Sequence, residues 1–166
     1  KLKDNVKTSI KVMPQGSVFK GRIVFENLDP VELGALLFVL QLPDGCAHKI
    51  GMGKPLGLGS VRITARVCLE EPERRYRDLA AEWTTQAAPV DSKDYRQDFV
   101  RYVSREETGT ELSQADGWWE NTRIKELRRM LDMKNAPAAD KTRYLKIEPT
   151  NEYLDRHVLP RPTDVR

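Results

Sequence analysis

The chain has 166 residues, of which 39% are apolar and 32% charged, with a formal net charge of +3. That length holds one domain with a real core, or a small domain with a sizeable extension. The balance is not that of a disordered chain, and no apolar run approaches the ~20 residues of a membrane span, so no membrane partner is expected.

With 28 basic and 25 acidic residues, composition alone does not announce a nucleic-acid binder, and local placement must carry that case. Cys46 and Cys68 lack metal or redox spacing and read as two free thiols of a reducing cytoplasm. The opening "KLKDNVKTSIKV" has no initiator methionine and no apolar signal core. Residues 1–16 therefore read as a lead-in, or as the end of a missing upstream part. Catalytic residues could lie on such a part.

Residues 17–70 form the first predicted unit. "SVFKGRIVFENL" alternates, with Phe19, Gly21, Ile23 and Phe25 on one face and Val18, Lys20, Arg22 and Val24 on the other, which predicts a strand. Helical chemistry follows in "LDPVELGALLFVLQL". Asp29 and Glu32 make a capping box and Pro30 suits the first helical position. Leu33, Leu36, Leu37 and Leu40 then share one face. Gly34 inside this helix suggests close approach to a neighbouring strand, and "LPDG" ends the helix with turn residues.

The next stretch, "HKIGMGKPLGLGSVRI", belongs to a region of concentrated glycine: five of the chain's ten glycines lie between Gly45 and Gly59. "SVRITARVCLE" then alternates cleanly, with Val61, Ile63, Ala65, Val67 and Leu69 on one face and Arg62, Thr64, Arg66 and Cys68 on the other. Residues 17–70 thus read strand, helix, glycine loop, strand, an α+β arrangement with helices on one face of an antiparallel or mixed sheet.

Residues 71–166 read as a mainly helical extension with an extended, proline-broken tail. Tyr76, Leu79, Ala80 and Trp83 share one helical face. Tyr95, Phe99, Tyr102 and Val103 share a second, and Ile124, Leu127 and Leu131 a third. Ala87–Asp91 reads as a connection, and "RYLKIEP" as a short strand. Trp83, Trp118 and Trp119 could stack on bases, but serve more readily as core or interface anchors.

The glycine loop fails the nucleotide-enzyme patterns. A Walker loop needs its lysine followed by Ser or Thr and then a helix, whereas Lys54 precedes Pro55 and the segment leads into a strand. A Rossmann fingerprint would need glycine where Leu56 stands. The spacing is also wrong for a kinase loop, and no HRD or DFG pattern occurs. Two readings remain: a plain glycine-rich turn, or exposed amides that hold anions, with Lys49 and Lys54 beside them and Arg62 and Arg66 continuing the path. His48 could touch RNA there or only cap the turn. His157 reads as solvated in a polar tail.

"GRIVFENLDPVELGALLFVLQLP" running into "HKIGMGKPLGLGSVRI" resembles the CRISPR-associated RAMP superfamily. Its hallmarks are an asparagine-leucine turn, a helix with "ELGALL", and a glycine-rich loop before the last strand of a ferredoxin-like, RRM-related fold. Asn27, Leu28, Glu32, Leu33, Gly34, Leu36 and Leu37 match its scaffold, and Gly51, Gly53, Lys54, Gly57 and Gly59 its glycine loop. The later "WWENTRIKELRRML" and "RYLKIEPTNEYLDRHVLPRP" are similar to the C-terminal extension found with RAMP domains of giant fused single-chain type III effectors. The resemblance implies a prokaryotic, cytoplasmic module that binds guide RNA and meets target RNA, other RAMP domains or subunits, and an accessory protein.

Only the second half of a βαββαβ fold is visible, so the first half is missing or lies on another chain. The effectors it resembles cut RNA, yet no position here matches their cleaving aspartates, and no nucleophile has a base partner at local spacing. The two cysteines and two histidines lie too far apart for the zinc sites some fused effectors carry, so no cofactor is expected in this chain. The expected RNA contacts are His48, Lys49, Gly51, Gly53, Lys54, Gly57, Gly59, Ser60, Arg62 and Arg66. The alternatives are a structural, protein-binding module and, more remotely, a metal-independent RNA nuclease.

Overall fold

Asp29 starts the first helix, α1 (Pro30–Leu40), by the chemistry its sequence announces: its side chain accepts the Glu32 N–H at 2.8 Å, while Glu32 reaches back to the Asp29 N–H at 3.0 Å. Just upstream, Asn27 has a φ of 55°, a conformation asparagine tolerates better than most residues. The fold is described from a computed structural model, which describes residues 9–69, 76–77, 88–135, 145–155, 158 and 160–164.

Among the described residues, four short strands follow α1: β1 (His48–Lys49), β2 (Ser60–Val61), β3 (Val67–Leu69) and β4 (Ala88–Val90). They make two separate antiparallel pairs. β1 pairs with β2 at His48–Val61 and Lys49–Ser60; β3 pairs with β4 at Val67–Val90, Cys68–Pro89 and Leu69–Ala88. Among the described residues two longer helices follow, α2 (Ser92–Thr108) and α3 (Thr122–Leu131), with one 3-10 turn at Ala115–Glu120 between them and another at Glu152–Asp155 after them. This is a mixed α+β arrangement with small antiparallel sheets.

Two apolar clusters hold it together. Leu33, Leu37 and Val67 are buried against Phe25, Ala65, Leu69, Val90 and Tyr95. Phe38, Val100, Trp118 and Trp119 are buried against Leu42, Phe99, Val103, Leu112, Ala115 and Ile124. Each cluster draws on residues from both sides of position 70, so α1 is clamped between the strand segments and the helical extension. Gly34 makes that clamp possible. A Cβ there would lie 1.9 Å from the Tyr95 carbonyl oxygen and 2.8 Å from Phe99 Cβ. The close approach expected of Gly34 is present, but its neighbour is the helix α2 rather than a strand.

Polar ties reinforce the packing. Ser104 is fully buried; its hydroxyl donates to Arg101 O at 3.2 Å and accepts the Leu112 N–H at 3.0 Å, so burial leaves it satisfied. Ala47 N–H donates to Leu131 O and Met133 N–H to Gly45 O, joining the approach to the glycine loop to the end of α3. Asp132 sits at this junction. Hydrogen bonds from the Asn135 side chain and the Lys134 N–H hold its carboxyl below the usual carboxylate range. Burial, followed by the Asp132 charge, pushes the Cys46 thiol up, while Cys68 is free and exposed. In the tail, the Thr163 N–H and hydroxyl both donate to the Glu126 carboxylate.

Several expectations need correction. Ser17–Leu28 is not in a strand: it joins no ladder among the described residues, and only Phe25 reaches the core. The long strand expected over 60–70 is two short strands with unpaired residues 62–66 between them. Its alternation survives in part: Val61, Ala65, Val67 and Leu69 are more buried than Arg62, Thr64, Arg66 and Cys68, but Ile63, expected on the inward face, is exposed in the unpaired segment. The Ala87–Asp91 connection contains β4, where Pro89 is tolerated in a two-stranded ladder with an open side. Tyr102 faces out, and Val100 takes the core position instead. Leu127 is likewise exposed. Leu145–Ile147 forms no strand. Of the helix expected at 72–83, only Tyr76 and Arg77 are described, and they are helical; Leu79, Ala80, Trp83 and His157 lie outside the described residues. Among the described residues, no helix is long and apolar enough to cross a membrane.

Candidate nucleic-acid interface

The glycine loop is the tip of a hairpin. β1 and β2 form its base, and the Ile50 N–H donates to Gly59 O at 2.9 Å beyond the last ladder pair. A 3-10 turn at Lys54–Leu56 closes the tip, bounded by Gly53 and Gly57. Gly59 has a φ of 76°, and a Cβ on it would lie 1.9 Å from Ile50 O. Both facts require glycine there for the hairpin itself. Gly51 and Gly57 also have positive φ, whereas Gly53 does not. The paired glycines are thus mainly accounted for by hairpin geometry, without any ligand.

A Gly59→Ala substitution separates this role from a ligand role. The methyl meets a carbonyl, and the left-handed conformation costs about 1–2 kcal/mol for an alanine. Exchange of the Ile50 amide should then quicken by roughly tenfold, read by native-state hydrogen exchange. Unchanged exchange would show that the hairpin base is not held in this way.

The amides divide into two sets. Leu56 and Leu58 donate to Gly53 O, and Gly57 donates to Lys54 O. The N–H groups of Gly51, Met52, Gly53 and Lys54 make no backbone hydrogen bond among the described residues. This consecutive run at the hairpin tip is where an anion could be held.

The side chains chosen from the sequence fall into three groups. His48 Nε2 lies 3.1 Å from Leu40 O, so the ring donates to a carbonyl at the end of α1 and caps that helix. The ring thus caps the end of α1 rather than the glycine turn. Lys49 donates to the Ser60 hydroxyl at 2.6 Å across the hairpin, and the pair braces the base of the loop. Lys54 and Arg66 are exposed and make no ion pair among the described residues, while Arg62 pairs with Asp44 at 3.6 Å. Both partners of that pair are well exposed, so it is weak and readily exchanged. The only signal for Asp44 in the sequence is its place in "LPDG", just before the hairpin.

Charge pairing differs sharply between the two parts of the chain. Residues 9–69 carry seven basic and four acidic residues. Of the acids, Asp29 and Glu32 are engaged in the helix cap. Residues 92–135 carry nine of each. There, Arg96, Arg101, Arg105, Arg123, Arg128 and Arg129 all pair with carboxylates. Uncompensated positive charge therefore collects around the hairpin and its neighbouring extended segments.

Trp118 and Trp119 are buried and cannot stack on a base at the surface; Trp119 stacks on Phe38 at 4.4 Å between ring centroids. Among the described residues, no group of three His, Cys, Asp or Glu side chains is arranged to hold a metal ion. No protein-family model, no curated protein and no solved structure matches this chain.

Proposed function

We propose that this chain holds single-stranded RNA by its phosphate backbone, as the guide-RNA-binding module of a cytoplasmic, prokaryotic CRISPR type III-like effector. One observation supports this reading above the rest: among the described residues, Lys54 stands without an ion pair in the run of unbonded amides Gly51–Lys54, and Arg66 is unpaired farther along the chain, while the arginines of α2 and α3 are neutralised by carboxylates. The hairpin tip takes one phosphate, Arg62 exchanges Asp44 for another, and Arg66 continues the track. Contacts of this kind position RNA without reading its sequence. The resemblance to RAMP proteins supports a ferredoxin-like frame for the unit, completed by a first half from upstream sequence or another chain. It also supports target RNA and neighbouring RAMP domains as further partners.

The test is the affinity of the full chain for a labelled single-stranded RNA across salt concentrations. The Lys54→Ala, Arg62→Ala, Arg66→Ala variant should bind about tenfold or more weakly, a change of at least ~1.4 kcal/mol. The slope of log affinity against log salt should flatten by about 2, since each phosphate contact contributes ~0.7 on a single strand. Unchanged affinity in the triple variant rejects the reading.

A second reading, a protein-binding module with no direct RNA contact, has its own observation. Ile50, Met52 and Leu56 on the hairpin are exposed apolar residues, which a protein partner would cover. Absence of salt-dependent RNA binding by the unaltered chain would favour it. RNA cleavage by the chain alone would instead revive the nuclease reading.

A further inference from the structure

The stretch from Val18 to Val24 has the side-chain pattern of a strand without its hydrogen bonds. No backbone N–H or C=O from Val18 to Glu26 bonds to another described backbone group. Val18, Phe19, Ile23 and Val24 are 82%, 73%, 59% and 76% exposed. The stretch is nonetheless anchored, because Phe25 packs on Leu33, Leu37 and Val67, the same cluster that receives Ala65.

We propose that Val18–Val24 is a docking edge for an extended strand of a partner protein, and that this strand carries acidic residues opposite Lys20 and Arg22. The backbone argues for a strand. Alternating N–H and C=O groups are satisfied together by another polypeptide backbone, the basis of β-strand addition. Nucleic acid would use the cations but leave Val18, Phe19, Ile23 and Val24 uncovered on two faces.

Charge argues for the partner's character. Lys20 and Arg22 form no ion pair among the described residues, and they share one face of the alternation. A second copy of the chain is a poor occupant. Antiparallel self-pairing centred on Gly21 sets Lys20 of each copy opposite Arg22 of the other. Moving the register by one pair sets Lys20 against Lys20, or Arg22 against Arg22. Like charges directly opposed destabilise a ladder. The same two residues therefore protect the edge from self-association and select an acidic strand, as charges on open edges do.

The experiment uses the full chain and two capped synthetic peptides, one alternating valine and glutamate, the other valine and lysine. Hydrogen exchange at the amides of Val18–Val24 is the readout. The glutamate peptide should slow exchange by about tenfold or more at saturation, and the lysine peptide should not. The Lys20→Glu, Arg22→Glu variant should reverse that preference. No slowing by the glutamate peptide, or equal slowing by both peptides, overturns the proposal. Slowing that grows with the chain's own concentration assigns the edge to a second copy and overturns it. Equal slowing by oligouridylate assigns the edge to RNA and overturns it. The readout does not use the Lys54, Arg62 and Arg66 track, so its failure is distinct from failure of the RNA-holding reading.

Discussion

Replacing Gly34 with alanine should destabilise the fold by about 2 kcal/mol, although alanine is the better helix former by ~1 kcal/mol. The new methyl would lie 1.9 Å from Tyr95 O, 2.7 Å from the Tyr95 carbonyl carbon and 2.8 Å from Phe99 Cβ. None of these atoms is the free end of a flexible side chain, so α1 and α2 must separate. Separation opens both apolar clusters, because Leu33 and Leu37 sit in one, Phe38 sits in the other, and α2 contributes Tyr95 and Val100. A melting temperature lower by roughly 4–8 °C is expected for a chain of this size. Valine at the same position should cost more. If alanine instead raises the melting temperature, helix propensity has won and the close approach is wrong.

The helix that carries Gly34 was legible from the sequence because its signals are local. Asp29, Pro30 and Glu32 act within one turn, and each does what its chemistry announces. Strand pairing is different. The alternation of Val61–Leu69 foretold the inward side chains except Ile63, which is exposed, but not which backbone would lie alongside, since a ladder partner can come from anywhere in the chain. Pro89 concealed β4 for the same reason: a three-residue strand with a proline carries almost no local signal. In α2 the bulky aromatic residues drew the predicted face toward Tyr102. The helix instead packs on α1 on one side and on the Trp118–Trp119 turn on another, so Val100 is enclosed between them.

The candidate site was legible as residue types and much less so as an arrangement. The glycines mark a hairpin, yet Gly59 serves the hairpin itself, and His48 serves the end of α1. What supports an anion site lies elsewhere, in charges left unpaired and amides left unbonded. Neither is written in a local motif. An arginine in α3 and an arginine in the segment that follows the hairpin look alike in sequence. Only the fold brings Glu107 to Arg123 while leaving Arg66 without a carboxylate among the described residues.

Trp119→Ala tests whether the helical extension is integral to the rest of the described fold. Trp119 is buried and stacks on Phe38 at an interplanar angle of 13°, so it joins the extension directly to α1. Truncating a buried tryptophan costs about 3–5 kcal/mol, against a total domain stability of roughly 5–15 kcal/mol. The urea midpoint should therefore fall by a large fraction. A double-mutant cycle with Phe38→Ala should give a coupling of about 0.5–1.5 kcal/mol for the stacked pair. Trp119→Phe should cost well under half as much, since it keeps a ring against Phe38. It also removes a buried indole N–H that has no partner among the described residues. A negligible effect of Trp119→Ala would mean that the extension does not pack on α1. The hairpin would then lose one of its supports: its approach is tied to the end of α3 by the Ala47–Leu131 and Met133–Gly45 hydrogen bonds, and α3 packs on the same tryptophan cluster through Ile124. Loss of Trp119 should for that reason also quicken exchange of the Ala47 and Met133 amides, a readout that a change confined to α2 would not produce.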